Sequence, residues 1–212
     1  MNYLEIINKC LVELNYKQVN SFSELIKNEH KKLKNIINII NTEVCNSDKW
    51  QFLLRRTSFV LPKNTCEIEN PIIGRIQTVI VDGKKLDYHS DYESFFINSQ
   101  PQGTYSLYND KILFSAFNAD KIVEIFYYTH NCVKDKDGNE KFAMQESEDE
   151  TLIPEVFAEP LLVYGSCMRL KGNPQHVRFS YWLSMYNNAL ANLRSKISNS
   201  VFEEPSVNMK RH

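Results

Sequence analysis

The spacing of apolar positions changes twice along the chain. Over residues 2–14, Tyr3, Ile7, Cys10, Leu11 and Leu14 recur three or four apart, which predicts a helix. A polar connection from Asn15 to Asn20 leads to Ser21-x-x-Glu24. That pattern is a capping box, in which side chains satisfy the orphan amides of a helix start, so a helix is predicted to open there and run to about residue 45. Leu25, Leu33, Ile36, Ile37, Ile40 and Val44 form its apolar side; Lys27, Lys31, Lys32 and Lys34 form a basic, solvated one. Asn46-Ser47-Asp48 ends it. Alternation then replaces helical spacing. Phe52 to Leu61 reads as a strand stopped by Pro62, and Arg75 to Val81 as another, closed by the hairpin dipeptide Asp82-Gly83. Thr104–Tyr108, Lys111–Phe114 and Lys121–Tyr128 follow, with Asn109-Asp110 and Asn118-Ala119-Asp120 as turns. The short connections favour a largely antiparallel sheet.

Helical spacing returns after a polar, acidic loop or hairpin tip at 131–151. One helix is predicted over Pro154–Leu170, with Gly172 as its C-terminal cap and Pro160 forcing a kink or a late start. A second is predicted from near Pro174 to Lys196, with Trp182, Tyr186, Ala189, Leu193 and Ile197 on one face and Phe179 above. That face reads as core and not as a platform for bases. The tail from Ser198 to His212 lacks periodicity and is expected to be extended or disordered when free. The expected class is α+β. Helices at 2–45 and 154–197 form a bundle beside a central, largely antiparallel β portion at 51–130, in one domain over residues 1–197 followed by the tail 198–212.

Composition narrows the function. The 212 residues are 42% hydrophobic and carry a formal net charge of −1, so a core needs no disulfide staples and nothing global draws the chain to DNA or anionic membrane. No run approaches a membrane span, and Met1-Asn2-Tyr3-Leu4-Glu5 lacks the features of a signal peptide, which points to synthesis in the cytoplasm. Cys10, Cys45, Cys66, Cys132 and Cys167 are odd in number and widely spaced, so they read as reduced, mostly buried small hydrophobes.

Catalytic signatures are missing. The sequence holds no phosphate-binding glycine loop, no H-E-x-x-H and no G-x-S-x-G. Gly165-Ser166-Cys167 falls in a predicted helix interior, where a nucleophile has no elbow to expose it. Aligning Asp135-Lys136-Asp137-Gly138-Asn139-Glu140 as a calcium loop puts Val133 and Met144 where carboxylates are required, so it reads as a polar turn. His30, His89, His130, His176 and His212 show no ligand spacing. No cofactor or metal is expected.

One charge pattern rises above background. Ala143 to Pro160 holds Glu146, Glu148, Asp149, Glu150, Glu155 and Glu159 and no base. Leu161 to Phe202 holds Arg169, Lys171, Arg178, Arg194 and Lys196 and no acid. These eleven residues are candidates for a contact between copies, because a head-to-tail contact of two different patches closes into a ring when the rotation permits. Pairing within one copy is the alternative.

The order of segments resembles the head-to-tail adaptor family of short-tailed bacteriophages, the tail tubular protein A-like connectors. The resemblance rests on Tyr3 to Leu14, on Asp48-Lys49-Trp50-Gln51-Phe52-Leu53-Leu54-Arg55-Arg56, and on the Asp82-Gly83 hairpin. It continues through the paired strands of Tyr105–Phe114, the strand ending in Tyr127-Tyr128, Leu152-Ile153-Pro154-Glu155-Val156-Phe157, and Tyr181, Tyr186, Ala189 and Leu193. It covers about residues 1–197; the acidic stretch before Leu152 and the tail after Ser198 depart from the family's pattern. The resemblance implies a virion structural protein and no catalysis. It implies a ring of usually twelve copies at the head–tail junction, between the portal and the tail nozzle proteins, with genomic DNA passing through its lumen. Two other readings are a nucleic-acid-binding module using the basic helices and a hydrolase whose site the sequence does not reveal.

Overall fold

The computed structural model describes residues 1–97 and 101–197. The chain is α+β. It forms two compact units, one of Met1–Leu53 with the chain from Asn131 onward and one of Leu54–His130. The sequence suggested a single domain. The division falls where helical spacing gives way to alternation and where it returns.

The first unit is mainly helical. Helix α1 (Tyr3–Glu13) opens on a capping box, in which Glu5 N donates to Asn2 Oδ1 at 2.9 Å and Asn2 N to Glu5 Oε2 at 2.9 Å. It buries Tyr3, Ile6, Ile7, Cys10 and Leu11. Helix α2 (Asn28–Asn46) buries Leu33, Ile37, Ile40, Val44 and Cys45 on the expected side. It starts seven residues after the predicted Ser21. The Ser21 box closes only a single 3₁₀ turn, Phe22–Glu24, and Ser21 makes no side-chain cap bond. Glu24 instead returns to Asn20 N, one residue early, at 3.3 Å. Phe22 is held by tertiary contacts, edge-on to Tyr3 at 5.3 Å and beneath Lys34 Nζ at 4.3 Å.

The predicted helix at 154–170 is three pieces: α3 (Glu155–Glu159), a π-helical turn (Pro160–Tyr164) and α4 (Gly165–Lys171). Pro160 has no N–H for the carbonyl four residues back, and its ring crowds that carbonyl, so the backbone widens there. Gly172 caps α4 with φ +57°, as expected. Gly165 permits close packing, since a Cβ there would stand 3.0 Å from the Tyr186 ring and 3.2 Å from Ile40. The last helix, α5, is Phe179–Ile197, not 174–196. Asn173 takes the early backbone donors instead, accepting from Gln175 N through Oδ1 and from His176 N through its carbonyl, both at 2.9 Å. Trp182, Ala189 and Leu193 are buried on the predicted face and Tyr186 partly so; the Ile197 side chain and the tail 198–212 lie outside the described residues.

The second unit is a seven-stranded sheet in the order β1-β7-β3-β4-β5-β6-β2. Its strands are β1 (Leu54–Leu61), β2 (Glu67–Glu69), β3 (Gly74–Val81), β4 (Lys84–Tyr88), β5 (Thr104–Tyr108), β6 (Lys111–Phe114) and β7 (Lys121–Thr129). Every pair is antiparallel except β4 with β5. Both hairpin dipeptides adopt positive φ at both positions: +46° and +77° at Asp82-Gly83, +45° and +58° at Asn109-Asp110. That geometry matches the twist of the flanking strands. Leu61, Val79, Val81, Leu86, Tyr105, Ile112, Phe114, Val123 and Ile125 form one buried cluster.

The segment 131–151, expected to be a polar loop or hairpin tip, is a hairpin and part of a second sheet in the first unit. Its strands β8 (Val133–Lys134), β9 (Glu140–Lys141) and β10 (Glu150–Thr151) pair antiparallel in the order β10-β8-β9. Its turn is the Asp135–Asn139 segment, where the Asp135 carboxylate accepts from Asp137 N and Asn139 N at 2.9 Å each.

Candidate functional site

Helix α1 begins with amides that lack partners within the helix. The acidic stretch supplies them: Tyr3 N donates to the Asp149 carbonyl at 2.8 Å and Leu4 N to the Ser147 carbonyl at 3.2 Å. Asn38 on α2 grips the same loop from the other side, accepting from Met144 N and donating to the Met144 carbonyl, both at 2.9 Å. Thr151 Oγ1 donates to buried Asn41 at 2.6 Å, and Asn41 Nδ2 donates to the Cys132 carbonyl at 3.2 Å. The stretch is therefore clamped onto two helices.

Asp149 organises this clamp. Its side chain is 2% exposed. One carboxylate oxygen accepts from Gln145 N at 2.5 Å and Glu146 N at 2.7 Å; the other pairs with Lys141 Nζ at 2.6 Å. Burial pushes its pKa up, but the ammonium and the two amides outweigh that and hold the carboxyl below the usual carboxylate value. Asp149 is thus internal and is removed from the surface a neighbouring copy can touch. Nothing in the run Glu148-Asp149-Glu150 marks the middle residue as the buried one.

The other candidates are distributed differently. Glu150 pairs with Lys134 at 2.8 Å across β10 and β8, and Glu159 pairs with Lys9 of α1. Arg169 reaches Glu43 at 2.9 Å, and Arg194 reaches Asp48 at 3.7 Å. Arg178 donates to the Glu13 carbonyl at 2.9 Å, and the Glu13 carboxylate also accepts from Trp182 Nε1 at 3.1 Å. Lys171 Nζ lies 3.3 Å from the Tyr16 hydroxyl. The acidic and basic stretches do not pair with each other within the unit. The bases go largely to acids on or after α1 and α2, and the acids to bases elsewhere. Glu146, Glu148 and Glu155 on the acidic side, and Lys196 on the basic side, are exposed and have no ion-pair partner among the described residues. Glu146 and Glu148 line a surface cavity of about 400 Å³ with Asp135, Asp137, Lys136 and Lys141. Lys34 of α2 is occupied by Phe22, while Lys27 just before α2 and Lys31 and Lys32 in its first turns are exposed without an acidic partner among the described residues.

Gly165, Ser166 and Cys167 are buried in α4, inside the helix packing. Among the described residues no three His, Cys, Asp or Glu side chains come together in a way that can hold a metal ion, and no helix is long and apolar enough to cross a membrane. No protein-family model matches the sequence, and no curated protein matches it.

Proposed function

We propose that this protein is a virion structural component, a head-to-tail adaptor that assembles into a ring between a phage portal and its tail and lines the DNA exit channel. The carrying observation is the uncompensated charge of the helical unit. Glu146, Glu148 and Glu155 present carboxylates with no internal cation, whereas Lys27, Lys31, Lys32 and Lys196 present cations with no internal acid. Carboxylates and cations left without internal partners suit a head-to-tail contact between unlike surfaces, which fixes register by charge. The order of elements, with helices at both ends around a β unit, supports the same reading.

The test is a mass measurement of the purified protein, alone and with portal. Rings are expected, and Glu146→Lys, Glu148→Lys and Glu155→Lys together abolish them without unfolding the chain, since none of these side chains holds the fold. A protein that stays monomeric and ignores the portal at micromolar concentration overturns the reading. The three unpartnered lysines near the start of α2 favour a second reading, nucleic-acid binding. Three phosphate contacts give a log–log salt slope of about −3; no binding at low salt removes that reading.

A further inference from the structure

Two pairs of buried cysteines sit in the helical unit, and they are built differently. Cys10 of α1 and Cys167 of α4 each donate a thiol proton to a backbone carbonyl, Cys10 to Val163 at 3.8 Å and Cys167 to Cys10 at 3.7 Å. Cys45 of α2 and Cys132, the residue before β8, meet through their sulfurs. The Cys132 sulfur accepts hydrogen bonds from the Cys45 thiol and the Thr42 hydroxyl. The Cys132 backbone is held as well. Its N–H donates to the Lys141 carbonyl at 3.1 Å, and its carbonyl accepts from Leu152 N at 2.9 Å and from Asn41 Nδ2 at 3.2 Å. Asn41 and Cys45 are four apart on α2, so one helix face grips both the backbone and the sulfur of Cys132.

A sulfur that receives donors is stabilised as its thiolate, which is the nucleophilic form. The Cys45 hydrogen bond outweighs burial and, with the Thr42 hydroxyl, holds the Cys132 thiol below its ordinary value. The same bond, and then burial, pushes the Cys45 thiol up, so Cys45 stays protonated. One member of the pair is thus a nucleophile, and a second thiol waits beside it. Burial excludes bulky thiol reagents, but hydrogen peroxide is little larger than water and enters through small local openings.

We propose that Cys132 and Cys45 are an oxidation site that hydrogen peroxide converts to a disulfide. The Cys132 thiolate attacks one peroxide oxygen, and the O–O bond breaks. Hydroxide leaves and takes up the proton that the thiol had released, as water. The Cys45 sulfur then attacks the Cys132 sulfenic acid; the S–S bond forms, the S–O bond breaks, and a second water leaves with the Cys45 proton. Two electrons pass from the sulfurs to the peroxide oxygens. The loop so closed contains the whole second unit, Leu54–His130. The inference does not depend on the adaptor reading.

The test is peroxide treatment of the native full chain, alkylation of the remaining thiols in denaturant, and mass spectrometry of the tryptic peptides. Peptides 35–49 and 122–134 each carry one of the two cysteines and no other. They are expected to appear joined before any link between Cys10 and Cys167. Cys45→Ser keeps a donor on the Cys132 sulfur and removes the second thiol, so Cys132 accumulates as a sulfenic acid that dimedone traps. A native chain that never joins the two peptides, or that links Cys10 to Cys167 as fast, overturns the inference. So does dimedone found on Cys66 alone in the Cys45→Ser chain.

Discussion

Replacing Asp149 by asparagine removes one charge and almost no volume. The asparagine oxygen can take the place of the oxygen that accepts from Gln145 N and Glu146 N, so those amides keep a neutral acceptor. The new NH₂ then faces the Lys141 ammonium, donor against donor, where the wild type has a 2.6 Å ion pair. A hydrogen bond to a charged group is worth about 1.5–3 kcal/mol, and the two amide bonds also lose their charge assistance, so a loss of about 2–4 kcal/mol is expected at pH 7. The sign of the pH dependence follows from the depressed pKa. Stability from Asp149 is fully present above the unfolded-state value near 4 and is lost as pH falls through the lower folded value. Glu150, Asp135 and Asp82 are depressed too, so the informative quantity is the difference between wild type and Asp149→Asn. Urea unfolding followed by tryptophan fluorescence measures it cleanly, because Trp50 and Trp182, the chain's two tryptophans, are both buried in the helical unit. A difference under about 0.5 kcal/mol at pH 7, against the expected 2–4, refutes the assignment. A difference that fails to shrink between pH 7 and about pH 2.5 refutes it equally.

Gly74→Ala strains the second unit, because a Cβ there lies 2.2 Å from the Tyr128 carbonyl oxygen on β7. Overpacking against backbone costs about 1–3 kcal/mol, visible as faster amide exchange in β3 and β7. A thiol reagent added to native protein is expected to modify Cys66, the one partly exposed cysteine, and to reach Cys10, Cys45, Cys132 and Cys167 only in denaturant. Burial, with Cys167 alongside, pushes the Cys10 thiol up; a hydrogen bond with Cys132 and then burial do so for Cys45. Rapid labelling of more than one thiol in the native state contradicts this packing.

The parts of the fold legible in the sequence are those decided locally. Strands β5 and β6 match their predicted bounds because Asn109-Asp110 fixes the turn, and the turn fixes the register. Pro160 announced a distortion because a missing N–H acts wherever the chain goes. What was illegible was decided by distant partners. Ser21 and Glu24 have the right identities and spacing for a cap, yet Phe22 is committed to Tyr3 and Lys34, and the helix waits until Asn28. Asn173 outcompetes Pro174 as the organiser of the last turn before α5. The acidic run gave its composition but not its geometry. Asp149 faces inward because Lys141 and the start of α1 converge on it from other parts of the chain.

That inward turn separates the charge pattern into two populations with different consequences for assembly. Asp149 is buried and held by three donors, so exchanging its partner for one on another copy costs about as much as deleting it. The pairs Lys9–Glu159, Arg169–Glu43 and Lys134–Glu150 are 41–50% exposed at both ends. Exposed pairs of that kind contribute about 0–1 kcal/mol each and are screened by salt. A neighbouring copy that takes one of their members forfeits little internal stability. The surface charges of the helical unit thus resist exchange only weakly. A contact built from them should form and dissolve with ionic strength while the fold beneath, fixed by Asp149 and the Asn41–Thr151 bond, stays unchanged.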